Sequence, residues 1–421
     1  MNNYKKISIG GIVKFLSSPN IFVFAIAWMI VLVIVGTIDQ ANIGLYEAQQ
    51  KYFSPKPDFK IYFGFIPAPA GLITYFGFIP VPSGKFLMLI ISINLSFYFT
   101  RPNIFKLSKI GITITHAGAL LLLIGAGITA YYSQEGRMPI EEGKINNYFE
   151  DYYEKELAII NTSNIEYDEY TIFNQSVLEH GNLLSNNQTI PFKIKVHEFH
   201  KNCEYRYQVF PNNGYRGAGK FFNIEKKKSE KESEQNQACI EFEISGLDIK
   251  NNGVYIAYQG PLITNLNDQI PNNEEIVEQF VMYNDSKFYL DLRNTRTFLP
   301  FKIELIDFKK TIHPNTEIAK SFSSDINLIE DSISRGVLIK MNEPLRHNGY
   351  TFYQASFQDS GPYTYNDSYY YDTKFWKDRT VLAVVKNYGR LFPYISSIIM
   401  CIGILIHLLL KIPRKKNEKI I

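Results

Sequence analysis

One histidine, His116, stands inside an otherwise apolar run of membrane length, Ile110 to Ala130. A helix that crosses a bilayer needs about 20 mostly apolar residues, and this run supplies them. Imidazole is costly in hydrocarbon, so there it marks either a functional group or a hydrogen bond between helices. Neutral imidazole is the commonest metal ligand among side chains, and it can also relay protons. The small residues around it, Gly111, Ala117, Gly118 and Ala119, permit close approach by another helix or by a flat macrocycle. His116 follows Lys109 by seven residues, which puts the imidazole roughly 10 Å inside the basic end of its helix. A second membrane histidine, His407, lies four residues before Lys411. Both therefore sit in the half of the membrane next to the basic residues.

The rest of the chain offers little other chemistry. It has no Gly-x-Ser-x-Gly, no His-Glu-x-x-His and no phosphate loop, so no catalytic residue is assigned. His197 and His200 fall in an alternating segment, where a spacing of three points them to opposite faces. His180, His313 and His347 are isolated. Cys203, Cys239 and Cys401 form no Cys-x-x-Cys pair, which removes the thioredoxin-like and zinc-ribbon readings. Cys203 and Cys239 lie in the same polar block and could form a disulfide if that block is outside the cytoplasm. Cys401 falls in a membrane run and reads as a small apolar filler. The net charge of +3 is too small to indicate nucleic acid.

Four helices must carry these groups across the membrane, with expected spans at about 19–38, 86–100, 110–130 and 391–410. The first reads as a permanent anchor, because no small-x-small cleavage site flanks it. The second is short and interrupted by Ser92, Asn94 and Ser96. Lys5, Lys6 and Lys14 precede the first span, Arg101, Lys106 and Lys109 separate the second from the third, and Lys411, Arg414, Lys415 and Lys416 follow the fourth. Four alternating spans put all three clusters on one side, the cytoplasm. The expected organisation is a membrane domain 1–131 with an outer loop 39–85, an extracytoplasmic domain 132–390, and a last span with a basic tail at 391–421. The outer loop repeats itself: Tyr62-Phe-Gly-Phe-Ile-Pro-Ala-Pro69 recurs as Tyr75-Phe-Gly-Phe-Ile-Pro-Val-Pro82. These aromatics read as a ledge at the headgroup level or as a platform for a flat apolar ligand.

The large outer block alternates apolar and polar residues in Phe192–Phe199, Cys239–Ile244, Phe288–Arg293, Phe301–Phe308 and Gly336–Met341. Period-two alternation marks half-buried strands. The expectation is a mainly antiparallel sandwich or barrel-like sheet. Glu225–Gln237 is a charged, low-complexity insertion and is expected to be mobile.

Taken nearly end to end, the chain resembles the ResB (CcsB) family, the cytochrome c biogenesis protein of system II. The resemblance rests on Gly36-Thr-Ile-Asp-Gln40, Asn94-Leu95, and Lys109 with Gly111, His116 and Gly118. It continues through Glu135-Gly-Arg-Met138 and Tyr388-Gly-Arg390. Its most specific part is Met341-Asn-Glu-Pro-Leu-Arg-His-Asn-Gly-Tyr-Thr-Phe-Tyr-Gln-Ala-Ser-Phe357. The resemblance implies a multi-pass protein of the bacterial cytoplasmic membrane, its large domain on the periplasmic side. It implies a non-catalytic or co-catalytic subunit of a holocytochrome c synthase complex. With a CcsA (ResC) partner, such a subunit handles heme across the membrane and supports its attachment to Cys-x-x-Cys-His sites of apocytochrome c. A thiol-reducing thioredoxin-like protein also fits that setting. His116 matches the family position that gives one axial imidazole to the iron of heme b, which is held or transported rather than permanently bound. Trp28 and Trp376 are the only tryptophans, so the partner's tryptophan-rich segment is absent from this chain. Two readings compete with heme handling: a membrane-anchored receptor with a ligand-binding outer domain, and a scaffold that holds apocytochrome without touching heme. The receptor reading lacks a cytoplasmic output domain, because the inner segments are short and basic.

Overall fold

A computed structural model describes residues 9–54, 62–63, 66–67, 72–76, 79–181, 183–184, 190–208, 210, 212–259, 279–316, 319–331, 333–358, 363–365, 368–370 and 378–412. Lys5, Lys6, Arg414, Lys415, Lys416 and Trp376 lie outside these residues, as do parts of both copies of the aromatic repeat. The chain divides into two units, one of residues 1–134 with 386–421 and one of residues 135–385.

The first unit is helical: α1 (Ile9–Leu16), α2 (Pro19–Ile43), α3 (Leu45–Tyr52), α4 (Gly84–Tyr98) and α5 (Ile110–Tyr132). Three stretches, Gly10–Ile43, Leu107–Tyr132 and Phe392–Lys411, are long and apolar enough to cross a membrane. The expected second span is α4, whose 15 residues are fewer than the roughly 20 of a usual crossing. The break between α1 and α2 falls at Ser17–Ser18, because Pro19 cannot donate a backbone hydrogen bond. Asn94 Nδ2 donates to the carbonyls of Leu16 (2.6 Å) and Ser18 (2.9 Å). Arg101 donates through Nε to Ser17 Oγ at 2.8 Å, and through its terminal nitrogen to the Ser17 carbonyl. Asn94 and Arg101 thus satisfy carbonyl groups exposed by the break.

The aromatic repeat is a structural repeat. Phe63 pairs with Ile66 and Tyr62 with Pro67; one copy later, Phe76 pairs with Ile79 and Tyr75 with Pro80. Phe76 packs with its ring 5.9 Å from both Trp28 and Tyr52, and Trp28 Nε1 donates to the Pro82 carbonyl at 3.2 Å. In the second copy, this phenylalanine is therefore spent on the packing of α2 and α3.

The second unit is antiparallel β. Its strands are β1 (Gln134–Glu141), β2 (Ile145–Asn161), β3 (Glu169–Asn174), β4 (Leu183–Leu184), β5 (Lys193–His200), β6 (Cys203–Tyr207), β7 (Phe222–Lys226) and β8 (Cys239–Ser245). They continue as β9 (Gly253–Tyr258), β10 (Phe280–Tyr283), β11 (Ser286–Ile312), β12 (Ala319–Glu330), β13 (Ile333–Lys340), β14 (Leu345–His347), β15 (Tyr350–Gln358) and β16 (Arg379–Lys386). The main sheet runs β13-β12-β11-β2-β1-β16-β15-β14, with β10 added to β11 and β3 to β2. A second sheet runs β9-β8-β5-β4.

Two cores share the long β2–β11 ribbon. Phe288, Leu290 and Leu292 join Ile194, Ile240 and Phe242 in one core. Leu299, Phe301, Ile303 and Leu305 join Met138, Phe149 and Phe352 in the other. The first set on β11 is even-numbered and the second odd, so the ribbon offers opposite faces to the two cores. Between them lies a buried polar waist of Lys155, Glu156, Arg293 and Asn294. Here Arg293 Nε donates to Glu156 Oε1 at 2.9 Å and Lys155 Nζ to Asn294 Oδ1 at 2.6 Å.

Lys155 is 3% exposed, and its ammonium donates to a neutral amide, Asn294 Oδ1. Burial, and then the Arg137 guanidinium, lower its pKa from 10.5 to about 8. A lysine that is less basic folded than unfolded penalises the fold fully below about pH 8, and the penalty fades as pH rises toward 10.5. Lys155→Met removes this dependence. The stability of the wild type relative to Lys155→Met should therefore improve by about 2–3 kcal/mol between pH 7 and pH 10. Urea unfolding of the purified chain and variant at both pH values measures this. A gap that stays constant would show that Lys155 does not titrate on unfolding.

Cys203 and Cys239 are bonded, with Cα atoms 6.2 Å apart. Within the loop they close, the charged insertion is pinned rather than free. Its start belongs to β7, Ser233–Gln235 forms a 3-10 turn, and Ser233 and Asn236 are buried. Asn236 Oδ1 accepts from the Glu230 backbone at 2.8 Å, and Asn202 Nδ2 donates to the Lys228 carbonyl at 2.8 Å. Two asparagine amides supply backbone bonds that charge composition does not reveal.

Candidate functional site

The last helix, α6 (Phe392–Lys411), runs antiparallel to α5 along a seam of small residues. Gly111, Gly118 and Gly125 on α5 meet the stretch that carries Gly403, Ser396 and Gly389. Both sets repeat every seven residues, the period that keeps one helix face turned to a partner. A Cβ at Gly118 would stand 2.6 Å from Met400 Cγ, and one at Gly403 would stand 2.6 Å from the Thr115 nitrogen. Gly111 and Gly118 are thus filled by α6, and the expected groove for a flat macrocycle does not lie on that face.

His116 projects from the other side of α5. At about 100° per residue it lies roughly 150° around the helix from the glycine seam. Its ring is half-buried and stacks on Tyr98 at the end of α4, with centroids 4.3 Å apart and planes 15° apart. Its Nδ1 lies 2.8 Å from the Ile112 carbonyl. A carbonyl only accepts, so in the neutral ring Nδ1 carries the proton and Nε2 has the lone pair. A metal-ligating histidine is commonly held in this way, with one nitrogen donating to a carbonyl and the other left to the metal. The arrangement thus leaves one imidazole nitrogen able to donate to a metal.

His407 sits elsewhere. Its backbone packs against Gly111, on the seam side of α6. Its Nδ1 is buried and has no hydrogen-bond partner among the described residues. The residue as a whole is half-buried, and its backbone lies on the glycine seam, whereas His116 projects from the other side of α5. Among the described residues no cluster of three His, Cys, Asp or Glu side chains is arranged to hold a metal ion. His197 bulges from β5 with ring nitrogens 3.3 Å from Glu241 Oε1 and Glu243 Oε2, and His200 lies 3.0 Å from Glu198 Oε2.

Several of the other motif residues make packing and polar contacts within their own units. Asp39 Oδ2 accepts from Lys51 Nζ at 2.6 Å and Tyr52 Oη at 2.9 Å, which ties the end of α2 to α3. A Cβ at Gly36 would meet Phe53 at 3.3 Å. Arg137 and Arg296 flank Glu150 across three strands, at 3.7 and 3.3 Å. Gly389 donates its backbone N–H to Asn387 Oδ1 at 2.7 Å, and Thr129 Oγ1 donates to the same oxygen at 3.0 Å. In the 341–357 segment, Asn348 and Gly349 take φ values of 48° and 80° between paired His347 and Tyr350. Positive φ at both positions is the geometry of a two-residue hairpin turn, and Asn-Gly is the pair that tolerates it best. Gln354 is buried in a polar knot: Ser324 Oγ donates to its Oε1 at 2.6 Å, and its Nε2 donates to Thr380 Oγ1 at 2.8 Å. That knot ties β12, β15 and β16 over the second core. Tyr98 escapes motif reading, because nothing in the sequence links it to the ring it touches; Gln354 lies in the quoted 341–357 segment, but its partners Ser324 and Thr380 lie outside it.

Residues 267–374 match the ResB-like family, the family that the motifs resemble. The matched stretch contains the Asn-Gly turn and Gln354. It implies involvement in cytochrome c biogenesis in general terms. No curated protein matches the chain.

Proposed function

We propose that this chain is the heme-handling subunit of a system II cytochrome c synthetase. It works with a CcsA (ResC)-type partner in the bacterial cytoplasmic membrane and supports covalent attachment of heme to Cys-x-x-Cys-His sites of apocytochrome c. The observation that carries the reading is His116: an imidazole in an apolar helix, its Nδ1 proton fixed on a carbonyl and its Nε2 free to donate. Heme is the cargo, and His116 gives its iron one axial nitrogen; the second comes from the partner.

In this reading α4 also crosses the membrane, as the second of four spans, short enough that it tilts little. The β unit lies on the outer side. Two observations support that orientation: basic residues cluster at one set of helix ends, and Cys203 is disulfide-bonded to Cys239, a bond that persists in oxidising compartments.

Co-expression tests the division of labour. The chain, a ResC-type partner and a reporter with one Cys-x-x-Cys-His site should together yield covalent heme, read as in-gel peroxidase signal. The chain with the reporter alone should yield none. Covalent product without the partner would overturn the proposal.

A further inference from the structure

We propose that Tyr98 is the positioning residue of His116, holding the imidazole plane so that Nδ1 stays on the Ile112 carbonyl and Nε2 stays free. This rests on the reading of His116 as an axial ligand. An imidazole on a helix rotates about its Cβ–Cγ bond, and that torsion is broad rather than fixed in three wells. Rotation takes Nδ1 off the carbonyl, and either ring nitrogen can then carry the proton. Two contacts oppose rotation here. The 2.8 Å hydrogen bond to Ile112 fixes one edge of the ring. The near-parallel Tyr98 ring, 15° out of plane at 4.3 Å, covers one face, and turning the imidazole would drive its edge into that ring.

Tyr98 is itself well placed to hold still. It ends α4, and Phe99 packs edge-on against it at 5.5 Å. Its hydroxyl lies 3.5 Å from Thr113 Oγ1, at the outer limit of a hydrogen bond. Thr113 Oγ1 is in turn anchored on the Ile104 carbonyl at 2.7 Å. The stacked ring, not the hydroxyl, is therefore the part that acts. Tyr98 belongs to α4 and His116 to α5, so the stack also makes the free nitrogen depend on how these two helices meet.

The test uses the full-length chain without heme, labelled with ¹⁵N-histidine. The chain has seven histidines, so the His116 signals are assigned by their loss in His116→Ala. Wild type and Tyr98→Phe should show one tautomer, with Nδ1 protonated and Nε2 bare. Tyr98→Leu and Tyr98→Met should show signals averaged between the two tautomers. In the complex with the partner, the last two variants should bind heme about 10-fold more weakly, the lower end of what loss of an orienting partner costs a metal-ligating histidine. Tyr98→Met keeps the side-chain bulk and so serves where Tyr98→Leu does not fold. A single fixed tautomer in both flat-ring-deleted variants would overturn the role of Tyr98 and leave the ligand reading standing. A normal heme spectrum in His116→Ala would overturn the ligand reading, while the tautomer signals would still decide for or against Tyr98.

Discussion

His116→Ala should strip heme from the complex with a ResC-type partner and abolish maturation of a Cys-x-x-Cys-His reporter. The loss should exceed the roughly 10–100-fold that removal of an orienting partner costs a metal-bound histidine, because here the donor atom itself goes. The fold should survive. His116 is half-buried on the side of α5 turned away from the glycine seam, and its contacts are one stacked ring and one carbonyl. Truncation at such a position is expected to cost about 1 kcal/mol. Protein level and detergent-extracted yield should therefore match wild type, while the low-spin absorption bands disappear. Added imidazole should restore part of the signal, since the deleted ring leaves a space of its own size beside Tyr98. His407→Ala should keep most of the heme, because the His407 backbone packs on Gly111 in the seam, away from the face of α5 that carries His116. A normal low-spin spectrum in His116→Ala would remove the ligand assignment and leave His116 as a packing residue.

Much of this site was legible because membrane helices obey a strong rule. A polar ring in an apolar run is visible without any structure, and it is what makes His116 a candidate. What the ring touches was not legible. The Ile112 carbonyl is at the i−4 position of the same helix, one of several groups a ring there could reach, and Tyr98 comes from another helix, so no spacing in the chain predicts the stack. Small residues near His116 are visible too, and of their two uses, close approach by another helix or by a flat macrocycle, Gly111 and Gly118 serve the first. Gly111 and Gly118 are seven apart and turned together toward α6, whereas Ala117 between them is exposed. The heptad, not the smallness, carried the information. In the β unit, alternation found the strands of both cores, yet it could not show that β11 serves one core with even residues and the other with odd ones. The pairing breaks at the same place, where four residues of β2, Asp151 to Glu154, bulge opposite Asn294–Arg296. The charged insertion was misjudged for a related reason: Asn202 and Asn236 make specific backbone bonds that composition averages away.

The glycine seam makes the other large-effect expectation. Gly403→Leu should separate α5 from α6 and cost the membrane unit about 1–3 kcal/mol or more, the range for overpacking a filled interior. The new Cβ would stand 2.5 Å from Thr115 Oγ1, 2.6 Å from the Thr115 nitrogen and 2.8 Å from the Gly111 carbonyl oxygen. Two of these three atoms are backbone, so no rotamer change relieves the clash and one helix must move. Gly127→Leu is the matched control: it lies on α5 as well, and a Cβ there meets nothing within 4 Å. Thermal unfolding in detergent and protease resistance of the membrane unit should fall for Gly403→Leu and stay near wild type for Gly127→Leu. Equal behaviour of the two would show that the seam does not hold the helices together. Heme readings separate this effect from that of His116. Because His116 faces α4 and not α6, Gly403→Leu should lower heme in proportion to the loss of folded protein. His116→Ala should lower heme per folded protein. The two faces of α5 thus answer to different measurements, stability for the glycine face and occupancy for the histidine face.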